Sequence, residues 1–254
     1  MQATLTGKLG QMTISILLAY AAVCAWLYFA QRTLIYFPVP AVSSPTFDLA
    51  VNGAMLKVSV RERESPRALI YFGGNAEDVA LNLPDYAQAF PGHALYFLHY
   101  RGYGGSSGEP SESALHADAL VLFQRVRARH PQVTLVGRSL GSGVAVRLAA
   151  QQDVERLLLI TPYDSIVNVA RHHYPWLPVS WLLKDRYESV RYAPQVRAPT
   201  RILMAEHDRV VPRPLTEALQ AAFSQGRSTL HMLPGTDHIS IAAAAGYFSL
   251  LRSD

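Results

Sequence analysis

Residues 132–150, QVTLVGRSLGSGVAVRLAA, constrain the fold more than any other stretch of the chain. Residues 132–136 are mostly apolar and β-branched, which reads as a buried strand. Residues 144–150 are rich in helix formers and contain no proline. Between them, Gly137-Arg138-Ser139-Leu140-Gly141 has the form G-x-S-x-G. A strand running through such a turn into a helix holds the serine in a strained backbone position, with its hydroxyl exposed above the sheet. Gly137 and Gly141 remove the Cβ atoms that would keep strand and helix apart. The backbone N–H of Leu140, at the helix N-terminus, is then placed to donate to a developing oxyanion. The plainer reading is a βα turn whose Ser139 only caps the helix. Partners elsewhere in the chain decide between the two.

A chain of 254 residues, half of them apolar, fits one α/β domain, or one domain plus an appendage. The net charge of +4 comes from scattered arginines, with no lysine–arginine run of the kind that marks a nucleic-acid face. The single cysteine, Cys24, excludes an intramolecular disulfide and any cysteine-based metal cluster. H-E-x-x-H, C-x-x-C and Walker patterns are missing, so neither a metal nor another cofactor is expected. Residues 102–108, GYGGSSG, approach a dinucleotide fingerprint, but Ser107 stands at the third glycine position and no helix starts there.

Residues 12–30 are uncharged, and the charge-free run extends from Leu9 to Gln31. At about 1.5 Å per helical residue it can cross a hydrocarbon layer of roughly 30 Å. Trp26 and Tyr28 lie at one end, where aromatic rings favour the interface. The run is long for a signal peptide and no A-x-A site follows it. The expected division is therefore a membrane anchor over residues 1–32 and a globular domain over 33–254. Lys8 and Arg32 flank the run evenly, so the side of the membrane stays open.

After a proline-stiffened connector at 34–40, strands and helices alternate. Strands are expected at 56–60, 68–72, 94–99, 154–160, 201–204 and 229–232, besides the one entering the turn. Helices are expected at 79–90 (disturbed by Pro84), 113–129, 215–223 and 239–251. Continuous apolar strands separated by helices imply an α/β fold with a mostly parallel, doubly wound sheet. Between 161 and 200 the alternation lapses. The aromatic and proline-rich stretch 174–183 falls where an insertion overhangs the carboxyl ends of the strands. A small helical cap is expected at about 162–198. Its aromatics form either a local helical pair or an apolar rim to a pocket.

A serine becomes a nucleophile when a base takes its proton and a third group orients the base. On a sheet of this kind the parts follow in the order serine, acid, histidine. His238, in a turn after the last strand, lies on the same sheet edge as Ser139. His231 falls within a strand and His207 directly precedes an acid. Asp208, just past the strand at 201–204, is the preferred acid, with Glu206 in reserve. Asp237 is adjacent to His238, and adjacent side chains diverge. The second oxyanion donor should come from the loop after strand 68–72, Gly73-Gly74-Asn75-Ala76, with Asn75 first and Gly74 next. Each of these residues alone also reads as an ordinary turn or cap.

With these residues in view, the chain resembles the α/β-hydrolase superfamily. It is most similar to its membrane-anchored serine hydrolases, which include lysophospholipases, monoacylglycerol hydrolases and protein depalmitoylases. The shared stretches are QRTLIYFP at 31–38, YRGYG at 100–104, GEPSE at 108–112, residues 137–145, DRVVP at 208–212, and Asp237-His238. One departure is Gly73, where the group usually carries histidine; the loop's supporting hydrogen bonds are thereby left unassigned. The resemblance implies an α/β-hydrolase fold behind an N-terminal transmembrane helix. It also implies a serine hydrolase cleaving lipid-type or small acyl esters through an acyl-enzyme. Ser139 would attack, His238 carry the proton, Asp208 orient His238, and Leu140 with Asn75 stabilise the oxyanion. The same triad also serves thioesterases and peptidases, and a non-catalytic binding module of this fold is a further alternative. The expected partners are an acyl ester, membrane lipid among them, and the bilayer, without nucleic acid or an obligate protein partner. Because the triad and the oxyanion loop all lie beyond Ile70, chemistry is expected to be independent of the anchor.

Overall fold

Eight strands form one sheet in the order β1-β2-β4-β3-β5-β6-β7-β8: β1 (Thr46–Val51), β2 (Ala54–Arg61), β3 (Arg67–Phe72), β4 (Ala94–Leu98), β5 (Gln132–Arg138), β6 (Arg156–Ile160), β7 (Thr200–Ala205) and β8 (Ser228–Leu233). The computed structural model describes residues 2–42 and 44–253, with side chains from Lys8 onward. Strands β3 to β8 run parallel, and β2 is antiparallel to both β1 and β4. The central strands are apolar on both faces because both faces are covered. Ala68, Ile70 and Phe72 of β3 enter one core, and Leu69 and Tyr71 enter the other. Strand β4 divides likewise, with Tyr96 and Leu98 on one side and Leu95 and Phe97 on the other.

The helices are α1 (Gln2–Ile35), α2 (Leu83–Ala89), α3 (Glu112–Arg127), α4 (Leu140–Gln151), α5 (Ile166–His173), α6 (Val179–Leu182), α7 (Ser189–Tyr192), α8 (Arg213–Ala222) and α9 (Tyr247–Arg252). Leu115 and Leu122 of α3, Val144 of α4 and Leu219 of α8 fill the first core. Leu83 and Tyr86 of α2, with Tyr247 and Leu251 of α9, fill the second. The step from β3 to β4 goes one way along the sheet, and the crossover from β4 to β5 passes back over β3. Winding therefore reverses between β3 and β5, and a crevice opens at their carboxyl ends. Both the loop at 73–76 and the turn at Ser139 lie there.

Local chemistry reshapes several expected elements. The single helix expected at 79–90 is a 3-10 turn, Val79–Asn82, followed by α2. Asp78 caps the turn by accepting the Ala80 N–H at 3.1 Å, and Pro84 sits in the first positions of α2, where its missing N–H costs nothing. The closing helix expected at 239–251 is likewise divided into a 3-10 turn, Ser240–Ala243, and α9. Gly246, at φ +90°, stands between them. Strand β1 was not expected. Its signal is Asn52-Gly53, a two-residue turn that pairs Val51 with Ala54, with Gly53 at φ +72°. Between β6 and β7 lie α5, α6, α7 and a 3-10 turn, Ala193–Gln195.

Helix α1 runs beyond the uncharged stretch at both ends, and its segment Lys8–Ile35 is long and apolar enough to cross a membrane. Most of its apolar side chains are exposed, while Cys24, Leu27, Ala30 and Gln31 form a half-buried to buried stripe against the region between β6 and β7.

Candidate active site

Ser139 joins β5 to α4 with φ +47° and ψ −114°, a region that L-residues rarely adopt. The turn is held from both sides: the Ser139 N–H donates to the Ile160 carbonyl at 2.9 Å, and the Ser142 hydroxyl donates to the Ser139 carbonyl at 2.6 Å. Glycine is required around it. A Cβ on Gly141 would lie 2.1 Å from the Phe72 carbonyl oxygen, and one on Gly137 2.6 Å from that of Gly141.

His238 follows β8 by a short loop, and its Nε2 lies 2.8 Å from Ser139 Oγ. Its Nδ1 lies 2.7 Å from Asp208 Oδ2, at the end of β7. A carboxylate only accepts, so Nδ1 carries the proton and Nε2 is left to accept the serine hydroxyl. The other carboxylate oxygen, Oδ1, accepts the N–H groups of Val210 and Val211 at 2.9 and 2.8 Å, which fixes the rotamer. Asp208 is 4% exposed at its side chain and His238 14%, so this chain of bonds is shielded from water.

The competing acids have other work. Asp237 Oδ1 accepts the N–H groups of Ile239 and Ser240 and the Ser240 hydroxyl. The Ser240 N–H foremost holds the Asp237 carboxyl below the usual range. Glu206 Oε2 accepts the Gly235 N–H at 2.8 Å, bracing the loop that leads to His238.

The loop at 73–76 lies against the serine: a Cβ on Gly74 would sit 3.6 Å from Ser139 Cβ. The Gly74 N–H, however, donates to Glu77 Oε2 and is thereby turned to the loop's own support. The Asn75 side chain is also committed. Its Oδ1 accepts the Phe37 N–H at 2.9 Å and the Tyr103 hydroxyl at 2.8 Å, and its Nδ2 donates to the Ile35 carbonyl at 2.6 Å. Any donation from this loop to an oxyanion falls to backbone N–H groups, of which that of Asn75 is the candidate. Leu140 opens α4, so its N–H has no carbonyl four residues back within the helix.

Two sets of supporting residues were not anticipated. Glu77 Oε1 accepts the Tyr71 hydroxyl at 2.6 Å and the Asn82 amide at 2.5 Å, and pairs with Arg138 Nη1 at 3.4 Å. Arg138 Nη2 reaches the carbonyls of His238 and Ile239 at 3.4 and 3.2 Å. Burial alone would lower the Arg138 pKa, but neighbouring Glu77 and Tyr71 outweigh it, push it up and keep the guanidinium charged. The variable residue of the G-x-S-x-G turn thus ties the loop at 73–76 to the loop that carries His238, and Glu77 supplies the support that Gly73 cannot. The Tyr100 hydroxyl adds a bond to the Gly73 carbonyl at 2.9 Å.

The second set is the end of α1. Arg32 Nε donates to Asp185 Oδ2 at 3.1 Å, as does the Tyr36 hydroxyl, which also lies 2.9 Å from the Tyr187 hydroxyl. The signal was in QRTLIYFP, a stretch of the resemblance whose residues had no assigned chemistry.

An open cavity of about 400 Å³ adjoins His238, with Arg209, Val210 and Ile239 among its walls. Among the described residues, no three His, Cys, Asp or Glu side chains are grouped as metal ligands.

The sequence pattern of the α/β-hydrolase fold matches residues 68–191. The uncharacterized Mycobacterium tuberculosis protein Rv2307c is 33% identical over 246 residues, which cover 87% of this chain and 85% of that protein. The chain belongs to the α/β-hydrolase family. A more distant relative of this hydrolase is the lysophosphatidylserine lipase ABHD12 of Danio rerio, 31% identical over 190 residues, 65% of this chain and half of that protein. Among solved structures, the α/β hydrolase GrgF from Penicillium sp. sh18 superposes with a TM-score of 0.65 at 17% identity, covering 83% of this chain and 96% of that one. At that identity the likeness speaks for the fold.

Proposed function

We propose that this chain is a membrane-tethered serine hydrolase that cleaves carboxylic esters of lipid type through an acyl-enzyme. The observation that carries the reading is the bond sequence Ser139 Oγ to His238 Nε2 to Asp208 Oδ2, built on a strained turn at the crevice where the sheet reverses its winding. As Ser139 Oγ bonds to the ester carbonyl carbon, its proton passes to His238 Nε2. The imidazolium so formed is stabilised by Asp208. The N–H groups of Leu140 and Asn75 receive the charge that develops on the carbonyl oxygen. Collapse of the tetrahedral intermediate breaks the ester C–O bond, and His238 returns the proton to the departing alcohol. Water then attacks the acyl-serine, its proton again taken by His238, and the acid leaves with Ser139 restored. The lipid preference draws on the relative named a lysophosphatidylserine lipase and on the apolar helix at the N-terminus.

The test is labelling by a fluorophosphonate probe. The wild-type protein should label, and Ser139→Ala should abolish labelling and lower kcat by about 10⁴-fold or more. Labelling of the variant at the wild-type level would remove Ser139 from the role. A wild-type protein that neither labels nor hydrolyses any ester across a series of acyl lengths would be a binding module.

A further inference from the structure

Residues 174–183, YPWLPVSWLL, form an uncharged run of ten. A run of that length is too short to span a bilayer and is either buried core or an interfacial segment. Val179 is buried, but the aromatic rings are not: Tyr174 is 53% exposed, Trp176 60% and Trp181 87%. The run is bounded by Arg171, His172 and His173 on one side and by Lys184, Asp185 and Arg186 on the other, with Asp185 paired to Arg32. Aromatic rings flanked by bases suit the boundary between acyl chains and phosphate headgroups.

One side of this hairpin is occupied, and the occupant is α1. The Tyr20 hydroxyl donates to the Trp176 carbonyl at 2.9 Å. Gln31 donates through Nε2 to the Leu182 carbonyl at 3.0 Å and accepts the Lys184 N–H through Oε1 at 2.7 Å. Lys184 Nζ sits 4.0 Å from the centre of the Tyr28 ring. The hairpin and the Asp185 that follows it therefore accompany α1 from Tyr20 to Arg32, about 18 Å of helix. Beyond that contact the uncharged part of α1 comprises residues 9–19, about 16 Å, or half of the roughly 30 Å hydrocarbon layer. For α1 to cross a bilayer, the length lying against the hairpin must be immersed as well.

We infer that the hairpin 174–183 inserts into a phospholipid bilayer beside α1, with Trp176 and Trp181 among the acyl chains and headgroup boundary. The inference rests on the reading of α1 as a membrane helix and is independent of the serine chemistry. The inserted stretch is also tied to the surroundings of the site. His173 Nε2 donates to the Val210 carbonyl at 2.9 Å, which joins the base of the hairpin to the wall of the cavity beside His238. Val210 and Ile239 on that wall are exposed apolar side chains.

The chain has three tryptophans, Trp26 on α1 and Trp176 and Trp181 on the hairpin, so fluorescence reads the two elements separately. The full chain is reconstituted in phosphatidylcholine–phosphatidylglycerol vesicles, with or without phospholipids brominated on their acyl chains. Trp26→Phe leaves the hairpin reporters, and Trp176→Phe with Trp181→Phe leaves the α1 reporter; thermal melts establish that both variants fold. Emission of each variant should fall about twofold or more in brominated vesicles, as for rings at the acyl boundary. Quenching of Trp26 with an unquenched hairpin would overturn the inference and leave the anchor intact. No quenching of either would overturn both. Fluorophosphonate labelling of Ser139 judges the chemistry apart from all three results.

Discussion

Asp208 and Asp237 stand on opposite sides of a distinction that residue type cannot make. Both are carboxylates near His238 in the folded chain, yet Asp208 accepts a hydrogen bond from the imidazole Nδ1–H while Asp237 accepts three donors of its own turn. Removing the charge of Asp208 leaves His238 without the group that fixes its tautomer and stabilises the imidazolium. Asp208→Asn should therefore lower kcat about 10³- to 10⁴-fold on a soluble ester, by the scale of triad loss. Asp237→Asn keeps a side-chain oxygen for the same turn and should cost far less than Asp208→Asn. Steady-state kinetics on both variants decides it, and the reverse ranking would move the role to Asp237. The preference for Asp208 was legible because it follows a parallel strand, where side chains reach the catalytic edge. The work of Glu77 and Arg138 was not, because an ion pair between a loop and the variable position of a turn exists only once β3 and β5 lie side by side.

At the scale of elements, the end of α1 is part of the site's scaffold. Its Ile35 carbonyl and the Phe37 N–H just beyond hold the Asn75 amide from both ends, and Tyr103 holds it from the sheet edge. Ile35 and Phe37 fall after the anchor expected over residues 1–32, so the expectation that chemistry is independent of the anchor still awaits its test, a chain starting near Thr33 assayed on a soluble ester. The candidate oxyanion donor is a backbone N–H, so its loss and its displacement can be told apart. Asn75→Ala retains the N–H but removes the bonds that place it. Each such bond contributes about 0.5–1.5 kcal/mol net. We expect kcat on a soluble ester to fall about tenfold or more, with a lowered melting temperature, since misplacement by about 1 Å is enough to cost rates of this order. An unchanged kcat would show that the loop keeps its place without the α1 bonds.

For the whole molecule, the buried histidines outside the site contribute to the response to acid. Burial, with Arg67 and Arg156 nearby, lowers the His93 pKa to about 4. Burial likewise lowers His99, His116 and His231. Between the unfolded value near 6.5 and these folded values, the unfolded chain binds more protons, so stability falls as pH falls through that window and is fully present above it. The melting temperature should decline from pH 6.5 toward 4, and His93→Phe should make the decline shallower; an identical slope in the variant would exclude His93 as a contributor. The family and the order of the site residues were determined by the sequence alone. Apolar runs of strand length, glycines where backbones must touch, and a serine, an acid and a histidine at successive strand ends are local patterns, and local patterns survive in one dimension. Even β1 was marked, by Asn52-Gly53. The tertiary structure alone decided which loop amide is free to face the serine, that Glu77 and Arg138 brace it, and that α1 lies along the hairpin at 174–183. Those are matters of hydrogen-bond direction and of contacts between residues as far apart as Tyr20 and Trp176, and side chains distant in the chain acquire them only when the sheet and its crossings bring their backbones together.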